Sequence, residues 1–226
     1  MKAMILAAGR GERMRPLTDS KPKPLLLAGG QPIIVHTLKQ LRLAGFEEIV
    51  INLAHLGEQI SRYLGDGRQW GVTIRYSNEG DHGLETAGGI AHALPLLGEK
   101  PFLVINGDIA TDFPLASLKN RIIDQAHLVL VDNPEHHPQG DFGLDAPQSV
   151  VDDSAIKFTF SGIGVYHPSL FNTVTPGTSQ KLAPLLRQAL AARRVSGEKY
   201  SGFWLDIGTP QRLQELDHHY LKRNTP

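Results

Sequence analysis

Cysteine is absent from the 226 residues of this chain. That excludes disulfides, thiolate nucleophiles and cysteine-built zinc sites, and it fits a reducing compartment. Net charge is absent too: 23 lysines and arginines stand against 23 aspartates and glutamates. A sequence-independent nucleic-acid binder draws on a basic surface, so nucleic acid is not an expected partner. Long apolar runs are also missing. The first, Met4-Ile5-Leu6-Ala7-Ala8, is shorter than the roughly 7–15 residues of a signal-peptide core and is soon followed by Arg10 and Arg13. No stretch approaches the ~20 apolar residues of a membrane span. The expectation is a soluble, cytoplasmic protein with no membrane partner.

What is present suits a globular enzyme. The residues are 41% hydrophobic, and a chain of this size buries roughly 70% of its unfolded surface. The first half alternates short apolar runs with helical patterns. Strands are expected over 2–6, 49–53, 72–76 and 102–106, and helices over 32–44, 59–64 and 86–97, the last with Thr86 as N-cap. Strand and helix in alternation imply parallel pairing through crossover helices, an α/β fold. The second half is less regular. It offers strands over 128–131, 158–166 and 202–206, a helix over 183–193, and a final helix over 210–220 capped by Thr209. No linker, repeat or low-complexity tract divides the chain, so a single domain over 1–226 is expected. The more regular half spans about 1–110 and the less regular half about 111–226.

The first strand runs straight into Leu6-Ala7-Ala8-Gly9-Arg10-Gly11-Glu12-Arg13. Small residues and glycines there let backbone N–H groups approach an anion. A dinucleotide fingerprint needs a third glycine where Met14 stands, and no Gly-Lys-Ser/Thr ending follows for a P-loop. The loop is therefore a phosphate cradle of another kind, with a cation at Arg13. Lys21-Pro22-Lys23-Pro24 then sets Lys23 between two prolines, in a stretch too stiff to lose much entropy on ordering. An ammonium so placed acts as a point charge on phosphate.

The run LAAGRGERMRPLT, followed by KPKPLL and GQPII, resembles the sugar-1-phosphate nucleotidylyltransferases, and the likeness extends over essentially the whole chain. It implies a three-layer Rossmann-like fold of the nucleotide-diphospho-sugar transferase type, a mostly parallel sheet with helices on both faces, with a nucleotide-binding half over about 1–110 and a sugar-binding half over about 111–226. It also implies that Arg13 and Lys23 contact phosphates, and that Leu6, Ala8, Gly9, Gly11 and Glu12 belong to the nucleotide-binding loop.

Two aspartates close strands: Asp108 in Asn106-Gly107-Asp108, and Asp206 in Trp204-Leu205-Asp206. In open α/β sheets ligands bind outside the carboxyl ends of strands, and two carboxylates suit Mg²⁺, which keeps waters and takes substrate phosphate oxygens. An aspartate after a strand also serves as a turn residue; the resemblance assigns Asp108 and Asp206 to Mg²⁺, Asp108 among the catalytic residues with Arg13 and Lys23. It further implies base contacts from Gly83, Leu84 and Glu85, and sugar contacts from Asn106, Gly140, Asp141 and Thr159. The Glu-Lys-Pro of many hexose enzymes is absent. Lys181-Leu182-Ala183-Pro184-Leu185-Leu186-Arg187, with Val195-Ser196-Gly197-Glu198, looks most like the N-acetylmuramate 1-phosphate uridylyltransferases of peptidoglycan recycling. Lys181 and Arg187 are then candidate donors to the sugar's lactyl carboxylate.

The implied reaction is nucleotidyl transfer between UTP and a sugar 1-phosphate, with Mg²⁺ as cofactor and a monomer as the expected assembly. No Ser-His-Asp pattern accompanies it, and none is needed, because the attacking phosphate is already anionic. Glucose or mannose 1-phosphate with dTTP, UTP or GTP remains open, as does a non-catalytic ligand-sensing domain. A nicotinamide oxidoreductase is disfavoured by the broken glycine fingerprint. The paired histidines His136-His137 and His218-His219 make poor chelates, since neighbours point to different faces, and read as surface or packing residues.

Overall fold

Side chains that alternate along β1 (Ala3–Leu6) go to opposite faces of a sheet, and this sets the layering of the molecule. The computed structural model describes residues 1–145 and 148–224. After β1 the chain forms a small hairpin, β2 (Leu27–Ala28) and β3 (Gln31–Pro32), then α1 (Ile33–Leu43), β4 (Glu48–Leu53), α2 (Gly57–Leu64), β5 (Thr73–Asn78), α3 (Glu85–Leu97), β6 (Phe102–Asn106) and β7 (Ile109–Thr111). It continues through β8 (Ala126–Val131), β9 (Gly143–Asp145), β10 (Ser149–Val151), β11 (Thr159–Tyr166), α4 (Leu182–Ala191), β12 (Val195–Tyr200), β13 (Trp204–Asp206) and α5 (Pro210–Asn224).

Nine strands form one sheet in the order β5-β4-β1-β6-β11-β8-β12-β10-β9. Pairing is parallel from β5 to β6, as the alternating pattern requires. Beyond β6 the sheet is mixed: β11 runs antiparallel to both β6 and β8, and β12 is parallel to β8. Ala3, Ile5, Ile49 and Ile51 bury one face against α1 and α2, through Ile34, Leu38, Ile60 and Leu64. Met4, Val50 and Val104 bury the other against α3 and α4, through Ile90, Leu185 and Leu186. The three-layer α/β architecture follows from this alternation, because a sheet covered on both faces reads as nearly continuous apolar runs. A third cluster, with Met14, Ala28, Ala110, Ile207 and Leu216, holds α5 against the hairpin and against β7 and β13.

Three differences from the sequence reading have local causes. The helix expected from Thr86 begins at Glu85, and no side chain caps it; the carbonyl of Gln180 takes the N–H groups of Ala87 and Gly88 at 2.9 and 3.1 Å instead. Residues 195–200, to which the sequence reading assigns no element, form β12 because β8 offers them a parallel neighbour. Five strands of two or three residues, β2, β3, β7, β9 and β10, are too short for their periodicity to show, whereas β13, also of three residues, lies inside the strand expected over 202–206. Thr209 caps α5 as expected, its hydroxyl accepting from Arg212 N–H at 3.4 Å. Among the described residues, no helix is long and apolar enough to cross a membrane.

Candidate active site

The glycine-rich loop leaves β1 at the carboxyl edge of the parallel strands. Gly11 has φ +65°, a left-handed conformation that favours glycine. Its carbonyl accepts from Met14 N–H at 2.8 Å and from the Thr18 hydroxyl at 2.9 Å. Met14, standing where a dinucleotide fingerprint has glycine, is fully buried in the third cluster and anchors the loop there. The loop borders a cavity of about 770 Å³, with Leu6, Ala8, Gly9, Gly11, Glu12 and Arg13 on its wall.

Lys23 opens a single 3-10 turn after Pro22 and is 7% exposed. Its Nζ donates to Asp108 Oδ2 at 2.6 Å. Asp108 leaves β6 through Gly107, whose N–H donates to the Leu6 carbonyl at 2.9 Å. A Cβ at Gly107 would stand 2.6 Å from that carbonyl oxygen, so only glycine lets β6 turn away from β1 there. Asn106, Asp108 and Lys23 all face the cavity. The Asn106 amide packs on Gly162, where a β-bulge interrupts β11.

Asp206 reaches the same region by backbone pairing. It lies opposite Ile109 in the β7–β13 ladder, and the Ile207 N–H donates to the Asp108 carbonyl at 2.7 Å. Its Oδ1 accepts from Arg212 Nη1 at 2.7 Å and lies 3.1 Å from His136 Nε2. The Asp206 side chain is not on the cavity wall, but Gly208, two residues on, is. A Cβ at Gly208 would stand 3.1 Å from Arg13 Nη2 and 2.2 Å from Arg212 Nη2, so two guanidinium groups converge there. Sequence reasoning gives Arg212 no role and reads His136 as a surface or packing residue. One sits in the first turn of a surface helix and the other in a loop, and only the β7–β13 pairing brings Asp206 to them.

The third wall comes from the segment after β5. Gly83 and Glu85 face the cavity, whereas Leu84 turns inward and is buried. Glu85 holds φ +58°, a left-handed conformation rare outside glycine and common at functional sites. Arg10 reaches across the mouth to the Asp81 carbonyl at 3.2 Å. Asn52 and Glu79, which the sequence reading passed over, form part of the wall. A buried asparagine inside the apolar run Ile49-Val50-Ile51-Asn52-Leu53 is a signal that could have found the first, since buried amides are placed for their hydrogen bonds.

The expected sugar residues divide. Asn106 is at the cavity; Gly140, Asp141 and Thr159 are not on its wall and form a polar knot beside it. Asp141 Oδ2 accepts from Phe160 N–H at 2.8 Å, and its Oδ1 lies 3.1 Å from His137 Nε2. The Thr159 hydroxyl donates to Asn133 Oδ1 at 2.9 Å, and a Cβ at Gly140 would stand 2.7 Å from that same oxygen. Arg187, a candidate donor to a substrate carboxylate, instead pairs with Asp152 at 3.1 Å. Lys181 stands exposed just before α4.

For a divalent cation the donor chemistry fits: two carboxylates on adjoining backbone segments, with hard oxygen ligands. Among the described residues no three or more His, Asp or Glu side chains form a cage. Arg13, Lys23 and Arg212 gather around Asp108 and Asp206 on one side of the cavity, while Glu79 and Glu85 stand on the wall that follows β5.

Known proteins resemble this chain in fold and in sequence. A structure from Bacillus anthracis described as a glucose-1-phosphate thymidylyltransferase superposes with a TM-score of 0.85, covering 100% of this chain and 97% of that one at 22% identity, and speaks to the fold alone. An N-acetylmuramate α-1-phosphate uridylyltransferase of Neisseria meningitidis serogroup B is 55% identical over 95% of this chain and 96% of its own length. The protein of the same name from Caulobacter vibrioides is 34% identical over 92% of each. The profile of the nucleotidyl transferase family matches residues 2–223. With that match, and with relatives similar over nearly their full length, this chain belongs to the nucleotidyl transferase family.

Proposed function

We propose that the chain transfers the uridylyl group of UTP to N-acetylmuramate 1-phosphate, giving UDP-N-acetylmuramate and pyrophosphate, within cytoplasmic peptidoglycan recycling. One observation carries the reaction class: Lys23 and Asp108, 85 positions apart, meet at 2.6 Å on the wall of a cavity that also carries Arg13. The 55% identity with the Neisseria uridylyltransferase supports the choice of base and sugar.

A phosphate oxygen of the sugar phosphate bonds to the α-phosphorus of UTP as the bond to the bridging oxygen breaks and pyrophosphate leaves. The nucleophile is already an anion, so positioning and charge neutralisation do the catalytic work. Lys23 offsets the repulsion between the two phosphates. Arg13 holds the departing pyrophosphate, and the glycine-rich loop carries the nucleotide on its backbone N–H groups. Gly83 and Glu85 flank the base with Leu84 between them, and Asn106 meets the sugar or its phosphate. Asp108 and Asp206 would hold Mg²⁺, which when bound supplies positive charge to the phosphate oxygens. Arg212 and His136 keep Asp206 oriented. The knot of Gly140, Asp141 and Thr159 shapes the sugar end from behind Asn133 and Phe160.

The test is pyrophosphate release with purified protein. UTP with N-acetylmuramate 1-phosphate should turn over at least tenfold faster than glucose or mannose 1-phosphate with UTP, dTTP or GTP. EDTA should stop turnover and excess Mg²⁺ restore it. Preference for a neutral hexose phosphate would overturn the sugar assignment, and full turnover in EDTA would overturn the metal assignment.

A further inference from the structure

Asn52, at the end of β4, is 4% exposed, and Glu79 follows β5 directly. Between them runs a chain of three hydrogen bonds with a fixed polarity. The Ala7 N–H, in the glycine-rich loop, donates to Asn52 Oδ1 at 2.7 Å. Asn52 Nδ2 donates to Glu79 Oε1 at 2.7 Å. The Leu84 N–H, in the opposite wall, donates to Glu79 Oε2 at 2.7 Å. Helix α3 closes over the pair with a glycine: a Cβ at Gly89 would stand 2.4 Å from Glu79 Oε1 and 3.2 Å from Asn52 Nδ2.

We propose that the Asn52–Glu79 pair is the positioning device that fixes the separation of the two loops gripping the nucleotide, and so sets affinity for the base without reading it. The inference rests on the reading of this cavity as the nucleotide site. The loops leave β1 and β5, two strands apart in the sheet, and the other bond that spans them, from Arg10 to the Asp81 carbonyl at 3.2 Å, lies exposed at the mouth. The polarity makes the device specific. Ala7 presents a donor, so Asn52 must turn its oxygen that way and its amide towards Glu79. Leu84 presents a second donor. Residue 79 therefore faces donors on both sides and must accept with both oxygens, which a carboxylate does and an amide cannot.

The test is a reciprocal swap. Glu79→Gln sets one donor against another, and Asn52→Asp sets two carboxylates face to face. Together, Asn52→Asp with Glu79→Gln closes the chain again: the new aspartate accepts from Ala7 and from the glutamine amide, whose oxygen accepts from Leu84. Binding of UTP with Mg²⁺ by calorimetry, and KM and kcat from pyrophosphate release, are the readouts. Each single variant should raise Kd and KM for UTP about tenfold, the effect of one buried polar group left unpaired, while kcat and KM for the sugar phosphate change less than threefold. The double variant should return UTP affinity to within threefold of wild type.

Single variants that lower Tm yet bind UTP like wild type would overturn the proposal, leaving the pair a purely structural tie. So would a folded double variant that stays as weak as the singles, since the carboxylate of residue 79 would then be touching the base itself. If Asn52→Asp does not fold, Glu79→Gln and the double variant decide the matter alone. If wild type binds another nucleotide in place of UTP, the substrate reading falls and the swap is read on that nucleotide.

Discussion

Lys23 is 7% exposed while the side chain of its partner Asp108 is 41% exposed. The asymmetry predicts how a substitution divides between stability and rate. In Lys23→Ala, Asp108 is left on a wet cavity wall where it can hydrate, so the loss of an ion pair costs little, on the order of 1 kcal/mol or less. The rate should suffer far more. Loss of one preorganised charge at a developing polyanion costs about 10²–10³ in kcat. Pyrophosphate release beside a thermal melt measures both, and a variant within threefold of wild-type kcat would remove Lys23 from the chemistry. At this scale the sequence shows Arg13, Lys23 and Asp108, because each stands in a local signature: a glycine loop, a proline clamp, a strand end. It conceals Arg212, His136 and Glu79, whose neighbours in the chain say nothing of their neighbours in space. His136 reads as a surface histidine until Asp206 is found 3.1 Å away.

Helix α3 illustrates how an element is completed by a distant segment. Its first turn has no capping side chain; the backbone of Gln180 serves, accepting from Ala87 and Gly88 and donating to the Leu84 carbonyl at 3.0 Å. This strap runs so close that a Cβ at Gly88 would stand 2.2 Å from the Thr178 carbonyl and 3.2 Å from Gln180 N. Gly88→Ala should therefore lift the strap, although alanine is the better helix former by about 1 kcal/mol. We expect a net destabilisation of about 1–3 kcal/mol, the usual cost of overpacking, and faster amide exchange at Ala87, Gly88 and Gln180. A more stable Gly88→Ala protein would show that helix propensity outweighs the contact. Because Ser179 in the same strap borders the cavity, UTP affinity should fall as well.

At the scale of the whole molecule, two histidines off the cavity wall make stability depend on pH, the buried His127 on β8 and the half-buried His36 on α1. His127 is fully buried on β8, with Nδ1 2.8 Å from Ser196 Oγ and Nε2 3.0 Å from Glu198 Oε1. Burial holds its pKa below the ordinary value, Glu198 opposes that, and Arg121 adds to it. His36, stacked on Tyr220, is lowered by burial in the same way. The unfolded chain takes up protons at these sites near pH 6.5, where the folded protein resists them. Stability is therefore fully present above about pH 7 and declines as the pH falls below ~6.5. Thermal melts from pH 7.5 to 5 should show this decline, and His127→Gln should flatten it. Equal slopes in the two proteins would remove His127 from the account.

By itself the sequence determined the layered α/β fold and the glycine-rich loop with its cations, since both are written in neighbouring residues: apolar runs of strand length, glycines beside an arginine, a lysine between prolines. Only the tertiary structure decided which polar groups share the cavity. It drew Asp206 to Asp108 through the three-residue ladder of β7 and β13, seated a backbone strap on α3, and withdrew Gly140, Asp141 and Thr159 into a knot beside the cavity. The physical reason is range. Secondary structure is governed by residues a few positions apart, whereas the register of β13 against β7 and the mixed pairing beyond β6 depend on contacts between segments dozens of residues apart, which no local pattern encodes.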